Sequence, residues 1–319
     1  MKLLGWSRRR VVAIAVILAV CGLVGAAGWR VVSRRYPLEL AEYKGRYELW
    51  REDIHEVQLG PLHGYVRDEC GRESPKQSCN CTVFIHGLAD NALTWKKLLS
   101  VPRNGWSAPM KLYAVDLPGS GKSPPPADPG QYRIRRQAEL LHTVLAPECQ
   151  SWIVVGNSMG GWIAAWLALD WPAGVRRLML VDSAGLKPDT AQAHGLFSRP
   201  TVESMKDFQR KAYRYPRELP DYVWAEVVER MKASNSRQIE AAFDPDDYLD
   251  GKLGLIHRPT LLLWGLADGI TPVTQGKRMH EAIPSSAWRE VKDCGHLPQK
   301  ECPLNVVNAL RELVDAGGM

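Results

Sequence analysis

Phenylalanine is scarce in this chain of 319 residues, at four against twelve tryptophans. Trp6 and Trp29 stand at the two ends of an uncharged run, where indoles favour a membrane interface, and Trp162 and Trp166 are expected to pack one helix. No internal repeat is visible, which argues against a solenoid. An excess of basic charge is also missing once the first 35 residues are set aside. The net charge is +6, seven cations (Lys2, Arg8, Arg9, Arg10, Arg30, Arg34, Arg35) lie in that segment, and taking seven away leaves −1. No nucleic-acid partner is therefore expected. The cysteine spacing matches no structural zinc pattern, so neither a metal nor a cofactor is expected. With 45% apolar and 24% charged residues, the composition is that of an ordinary globular chain rather than a disordered one.

Val11 to Trp29 is nineteen residues without a charge, preceded by three arginines. At about 1.5 Å per residue it is just long enough to span hydrocarbon. More positive charge precedes the run than follows it, which favours a single-pass signal-anchor with its N-terminus inside and the rest of the chain extracytoplasmic, on the periplasmic side. Two other readings stay open. Gly25 and Ala27 have the small-residue spacing of a signal-peptidase site, and Leu18-Ala19-Val20-Cys21 faintly resembles a lipoprotein box. Six cysteines lie outside the run. In an exported domain they permit disulfides, Cys70 with Cys79 closing an insertion between two strands, while Cys149 and Cys294 also read as buried thiols.

The chain divides into an anchor at 1–35, a core at 36–185, an insertion at 186–255 and a second part of the core at 256–319. In the core, short β-branched runs alternate with helical patterns. A hairpin pair at Ile54 to Leu59 and Gly64 to Asp68 is followed by buried runs at Thr82–Ile85, Leu112–Val115, Trp152–Val155, Leu178–Val181, Thr260–Trp264 and Ala287–Val291. Such alternation predicts an α/β fold, a mostly parallel central sheet with helices on both faces. In the insertion Met205, Phe208, Ala212 and Tyr215, then Val223, Val227, Val228 and Met231, recur at helical spacing with no strand between them. They predict a helical cap, with Phe208, Tyr215, Trp224 and Met231 either lining a pocket or packing within the cap.

In an open parallel sheet the ligand site lies beyond the carboxyl ends of the strands. Four features fall at such ends: His86-Gly87, Ser158, Asp268 and His296. Ser158 sits in Gly156-Asn157-Ser158-Met159-Gly160 between a strand and a small-residue helix, so the turn can project its hydroxyl, and Gly156 and Gly160 allow the close strand–helix approach. A free hydroxyl is a weak nucleophile at neutral pH. His296 is the candidate base, and Asp268 the residue that would hold its other nitrogen, with Asp182 a rival acid after the preceding strand. The backbone N–H groups of Leu88 and Met159 are the candidate oxyanion donors. His86 fits better as a loop-shaping residue than as a base.

The segments "FIHGLADNALTW", "VDLPGSGKS", "GNSMGGWIAAWLALDWP", "LLLWGLADGITP" and "CGHLPQKECP" resemble the α/β-hydrolase superfamily over roughly Ile54 to Leu313. The pattern is most similar to membrane-anchored monoacylglycerol lipase and esterase relatives. That resemblance implies an α/β-hydrolase fold with a helical cap, a Ser158, Asp268, His296 triad, oxyanion donors at Leu88 and Met159, and a carboxylic ester as substrate, with a lipid-like ester expected. "GNSMGG" also resembles the carbon–carbon hydrolases of meta-ring-fission products. Their oxyanion loop usually carries extra glycines where this chain has Leu88-Ala89-Asp90, a departure that favours esters. Haloalkane dehalogenases and epoxide hydrolases use an aspartate where Ser158 stands. A non-catalytic member of the fold that binds a ligand is the remaining alternative.

Overall fold

The computed structural model describes residues 33–70, 80–101, 109–187 and 199–315, with isolated positions 25, 28, 30, 31, 106 and 197. Most of Val11 to Trp29, and Cys79, lie outside the described residues. Among those described, no helix is long and apolar enough to cross a membrane.

Eight strands form one sheet: β1 (His55–Leu59), β2 (Leu62–Asp68), β3 (Asn80–Ile85), β4 (Met110–Val115), β5 (Trp152–Asn157), β6 (Val175–Val181), β7 (Thr260–Gly265) and β8 (Ser286–Val291). Their order is β1-β2-β4-β3-β5-β6-β7-β8. β2 runs antiparallel to β1 and β4, and the remaining pairs are parallel. Alternation along the central strands assigns side chains to the two faces. Val83, Val154, Leu178, Leu180, Leu262 and Trp264 enter one apolar core, while Phe84, Ile153, Val155, Met179, Val181, Leu261 and Leu263 enter the other. Being covered on both sides, these strands read as unbroken apolar runs.

Among the described residues, six longer helices surround or cap the sheet after an N-terminal one. α1 (Pro37–Arg51) precedes it; α2 (Ile134–Leu145), α3 (Met159–Asp170) and α7 (Val273–Ala282) contribute to the first core, and α8 (Pro303–Asp315) to the second. Between β6 and β7 the described chain is helical: α4 (Val202–Ala212), α5 (Asp221–Ala233) and the short α6 (Ser236–Ala241). Phe197, Met205, Trp224 and Val228 form a small core of their own there, against which Leu88, Ala89, Phe208 and Met231 pack. The cap thus rests on the loop that leaves β3.

α1 has no counterpart among the elements that the sequence pattern predicts, the first of which begins at Ile54. Only Gly45 and Leu49 of its fifteen residues are buried, so no apolar stripe announces it. It is held by polar contacts to the cap: the Leu38 N–H donates to Glu226 at 3.1 Å, and Arg230 pairs with Glu42 at 2.7 Å.

Cys149 and Cys294 are not free thiols. Disulfides join Cys81 to Cys149 and Cys294 to Cys302, and Cys70 is disulfide-bonded as well. The cluster of Cys294, Glu301 and Cys302 that could hold an ion therefore lacks the two thiolates that a metal would need.

Candidate active site

The strand order reverses around β3, which has β4 on one side and β5 on the other. Chains leaving the carboxyl ends of β3 and β5 diverge and leave a crevice. Ser158 follows β5 directly, at φ 54° and ψ −121°. That conformation costs a non-glycine residue about 1–3 kcal/mol and persists only where the surroundings fix it. They do so through the Ser158 N–H, which donates to Val181 O at 3.1 Å, and the Ser158 carbonyl, which accepts from Gly161, Trp162 and Ala184 at 2.9, 3.2 and 3.0 Å. Close approach of backbones explains the flanking glycines. A Cβ on Gly156 would run into the Gly160 carbonyl, and one on Gly160 into the carbonyls of Ile85 and His86. α3 then leaves with its first N–H groups free of intrahelical partners, Met159 first among them. Trp162 and Trp166, both expected to pack this helix, are buried and donate their indole N–H groups to Asp247 O at 2.6 Å, tying α3 to the cap.

His296 comes from the loop after β8, which the Cys294–Cys302 disulfide closes. Its Nδ1 lies 2.8 Å from Asp268 Oδ2, and both residues are buried. The other Asp268 oxygen accepts from the Ile270 and Thr271 N–H groups at 2.7 and 3.0 Å, and the Thr271 hydroxyl donates to Oδ2 at 2.6 Å. Burial alone would raise the Asp268 pKa, but the His296 imidazole and these donors outweigh it and hold the carboxyl below the usual carboxylate range. Asp268 is thus an ionised acceptor, which fixes Nδ1 as the protonated nitrogen and leaves Nε2 free to accept.

Asp182, the rival acid, is buried at the end of β6 and accepts the Gly265 N–H at 2.8 Å. Burial first, and then the neighbouring Asp268 charge, push its carboxyl well above the usual range. Of the two adjacent buried carboxyls, Asp268 is thus the one held towards its ionised form and Asp182 the one that is harder to ionise.

Ser158, His296, Leu88 and Met159 line one cavity of about 250 Å³. The Ser158 hydroxyl makes no hydrogen bond among the described residues, to His296 or to any other. Gly87 lets the β3 loop approach it: a Cβ there would stand 3.1 Å from the Ser158 Cβ. His86 shapes that loop. Its Nδ1 donates to Gly87 O at 2.7 Å, its Nε2 accepts the Leu117 N–H at 3.0 Å, and burial lowers its pKa so that it stays neutral. Of the four cap residues, Phe208 and Met231 reach the cavity, Trp224 is buried in the cap's own core, and Tyr215 is exposed.

Three positioning residues escape sequence reasoning. Asn157 donates to Val181 O and His296 O, both at 3.0 Å, so the strand bearing Ser158 is fastened to the His296 backbone. Gln299, fully buried, donates to Asn157 Oδ1 at 3.0 Å. Thr271 touches His296 Nδ1 at 3.2 Å as well as Asp268.

Residues 82–310 match the model of the Alpha/beta hydrolase family, and the chain belongs to that family. It is a hydrolase of the α/β-hydrolase fold. It is 27% identical over 235 residues to a 2-hydroxy-6-oxononadienedioate/2-hydroxy-6-oxononatrienedioate hydrolase of Cupriavidus pinatubonensis, covering 69% of this chain and 81% of that one. To Lipase 3 of Moraxella sp. it is 27% identical over 249 residues, covering 73% and 76%. Among solved structures, a membrane phospholipase A described as a bacterial virulence factor superposes with a TM-score of 0.69 at 23% identity, covering 97% of this chain and 99% of that one. That last likeness concerns the fold.

Proposed function

We propose that the protein is a serine esterase that cleaves lipid-like carboxylic esters, monoacylglycerols among them, through an acyl-enzyme formed on Ser158. The observation that carries this reading is the cavity shared by Ser158 and His296, whose wall is mostly apolar and whose charges nearly balance. Ser158 Oγ attacks the ester carbonyl carbon while His296 Nε2 takes its proton. The carbonyl oxygen becomes an oxyanion facing the Leu88 and Met159 N–H groups. Collapse breaks the bond to the alcohol oxygen, which receives the proton from His296, and the acyl group stays on Ser158. Water then attacks the acyl-enzyme, gives its proton to His296, and the acid leaves as that proton returns to Ser158. Asp268 remains ionised throughout and stabilises the imidazolium.

Carbon–carbon cleavage is the second reading, favoured by the first relative above. Its dienedioate substrate carries two carboxylates. Among the described residues lining the cavity Lys300 is the one Lys or Arg, and it is already paired with Asp90, while Glu240 adds a negative charge. A dianion would enter without a counter-charge, at a desolvation cost that a neutral ester avoids. The disulfides suit an oxidising compartment, and Val11 to Trp29 would anchor the domain at an extracytoplasmic membrane face, beside partly membrane-dissolved esters. A fluorophosphonate probe should label the wild type and not Ser158→Ala, and monoacylglycerols should be turned over where the dienedioate is not. The opposite substrate result would transfer the assignment to carbon–carbon hydrolysis.

A further inference from the structure

The ion pair between Lys300 and Asp90 has no part in the acyl-transfer steps above. Lys300 Nζ lies 3.0 Å from Asp90 Oδ1 and 2.9 Å from Oδ2. Asp90 stands two residues beyond Leu88, and Lys300 one helical turn beyond His296, on the short helix Pro298–Glu301. Both residues line the cavity with Ser158, and both also line a wider groove of about 970 Å³ between α1 and α5. The pair is therefore the polar junction between two compartments. The pair is only half-buried, and partly exposed ion pairs of this kind add little to stability. A role in recognition accounts for it better than a role in folding.

Which half of the substrate meets the pair follows from proton transfer. His296 hands its proton to the leaving alcohol oxygen, so the alcohol is the half of the substrate that lies beside His296, in the cavity that Lys300, four residues further on, also lines, and the acyl chain is left with the apolar remainder. We propose that Asp90 and Lys300 form a subsite for an alcohol moiety bearing free vicinal hydroxyls, a polyol such as glycerol. The two charges cancel, so the pair attracts neither an anion nor a cation strongly. It offers a carboxylate acceptor beside an ammonium donor, and two adjacent hydroxyls, each both donor and acceptor, satisfy the two at once. Burial works against both charges, yet their mutual attraction keeps Asp90 below and Lys300 above its ordinary pKa, so both stay ionised over the working range. This inference rests on the ester reading and narrows it.

The test compares monolauroylglycerol with propyl laurate, which has the same acyl chain and the same three-carbon alcohol without its two hydroxyls. Wild-type full-length protein is expected to prefer the glycerol ester in kcat/KM. In the double variant Asp90→Leu/Lys300→Met, which leaves no lone buried charge, that preference should fall about tenfold or more, chiefly through KM. Because the preference is compared between proteins, differences in ester solubility cancel. A non-hydrolysable dodecylglycerol ether should also inhibit the wild type more strongly than dodecyl propyl ether, a measurement that needs no folded variant. Equal losses on both esters, or no discrimination between the two ethers, would overturn the subsite. Failure to cleave either ester, with no fluorophosphonate labelling of Ser158, refutes the ester reading itself and the subsite with it.

Discussion

Two buried carboxyls compete for the role of triad acid, and replacing each by its amide separates them. Asp268→Asn keeps the shape but turns an ionised acceptor into a group that can present N–H to His296 Nδ1, which favours the wrong imidazole tautomer. Replacing a triad carboxylate in this way costs about 10⁴-fold in kcat. Asp182→Asn removes a carboxyl that is already hard to ionise, and the amide oxygen can still accept the Gly265 N–H. Its effect on kcat should stay under about tenfold, because the acceptor for Gly265 is kept. The same variant has a stability signature. An unfolded aspartate ionises near 3.9, about the value for a free side chain. Above that pH the native state keeps a proton that the unfolded chain has lost, so wild-type stability falls as pH rises towards the raised native value. Asp182→Asn removes that slope, which is at most about 1.4 kcal/mol per pH unit for one proton. Urea unfolding at several pH values, beside pre-steady-state acylation rates, reads both quantities. Comparable losses of kcat in the two variants, or pH–stability curves that run parallel, would refute the assignment of the ionised and the harder-to-ionise carboxyl.

Gly160→Ala should yield little soluble protein, or one destabilised by more than about 3 kcal/mol, because the new methyl meets two backbone carbonyls that cannot yield; a normal melting temperature would contradict it. Cys81→Ala/Cys149→Ala opens a link spanning 68 residues, which the chain-entropy argument values at about 4 kcal/mol, measurable by denaturant unfolding without a large change in kcat. Cutting Cys294–Cys302 opens a loop of only 8 residues of separation, worth about 2.5 kcal/mol by the same argument. Here the expected loss lies in activity, since the loop carries His296. Removing residues 1–35 should lower turnover of long-chain glycerides in vesicles while leaving short soluble esters unaffected; equal activity on both would undo the lipid assignment.

The sheet was legible because each central strand is a run of apolar residues between glycine or proline signals, and covered parallel strands leave little else as a pattern. The elbow at Ser158 was legible for the same local reason: Gly156 and Gly160 occupy positions where no side chain fits. α1 was not legible, since its contacts to the cap are ionic and its faces nearly all solvated. The pairing of Cys81 with Cys149 was out of reach as well. Cys81 and Cys149 meet only because β3 places one beside the start of β5, a proximity that belongs to the sheet order. The raised pKa of Asp182 depends on the same kind of information, because only the fold buries it beside Asp268.

Asn157 shows why such a site needs more than its reacting groups. Ser158 and His296 sit at the ends of β5 and β8, with β6 and β7 between them, so small shifts of the intervening strands would change their separation. Asn157 spans that distance, bonding the Val181 carbonyl at the end of β6 and the His296 carbonyl beyond β8, while Gln299 occupies its remaining oxygen. Both side chains are buried. An Asn157→Leu variant would leave the carbonyl of His296 without this donor, costing about 1–3 kcal/mol for an unsatisfied buried group. More of the effect should appear in kcat than in KM, because what is loosened is the alignment of His296, the proposed base, with Ser158. Asn157→Asp, isosteric but unable to donate, should reproduce the kinetic loss. If it kept full kcat, the network would be holding the fold and not the alignment of His296 with Ser158.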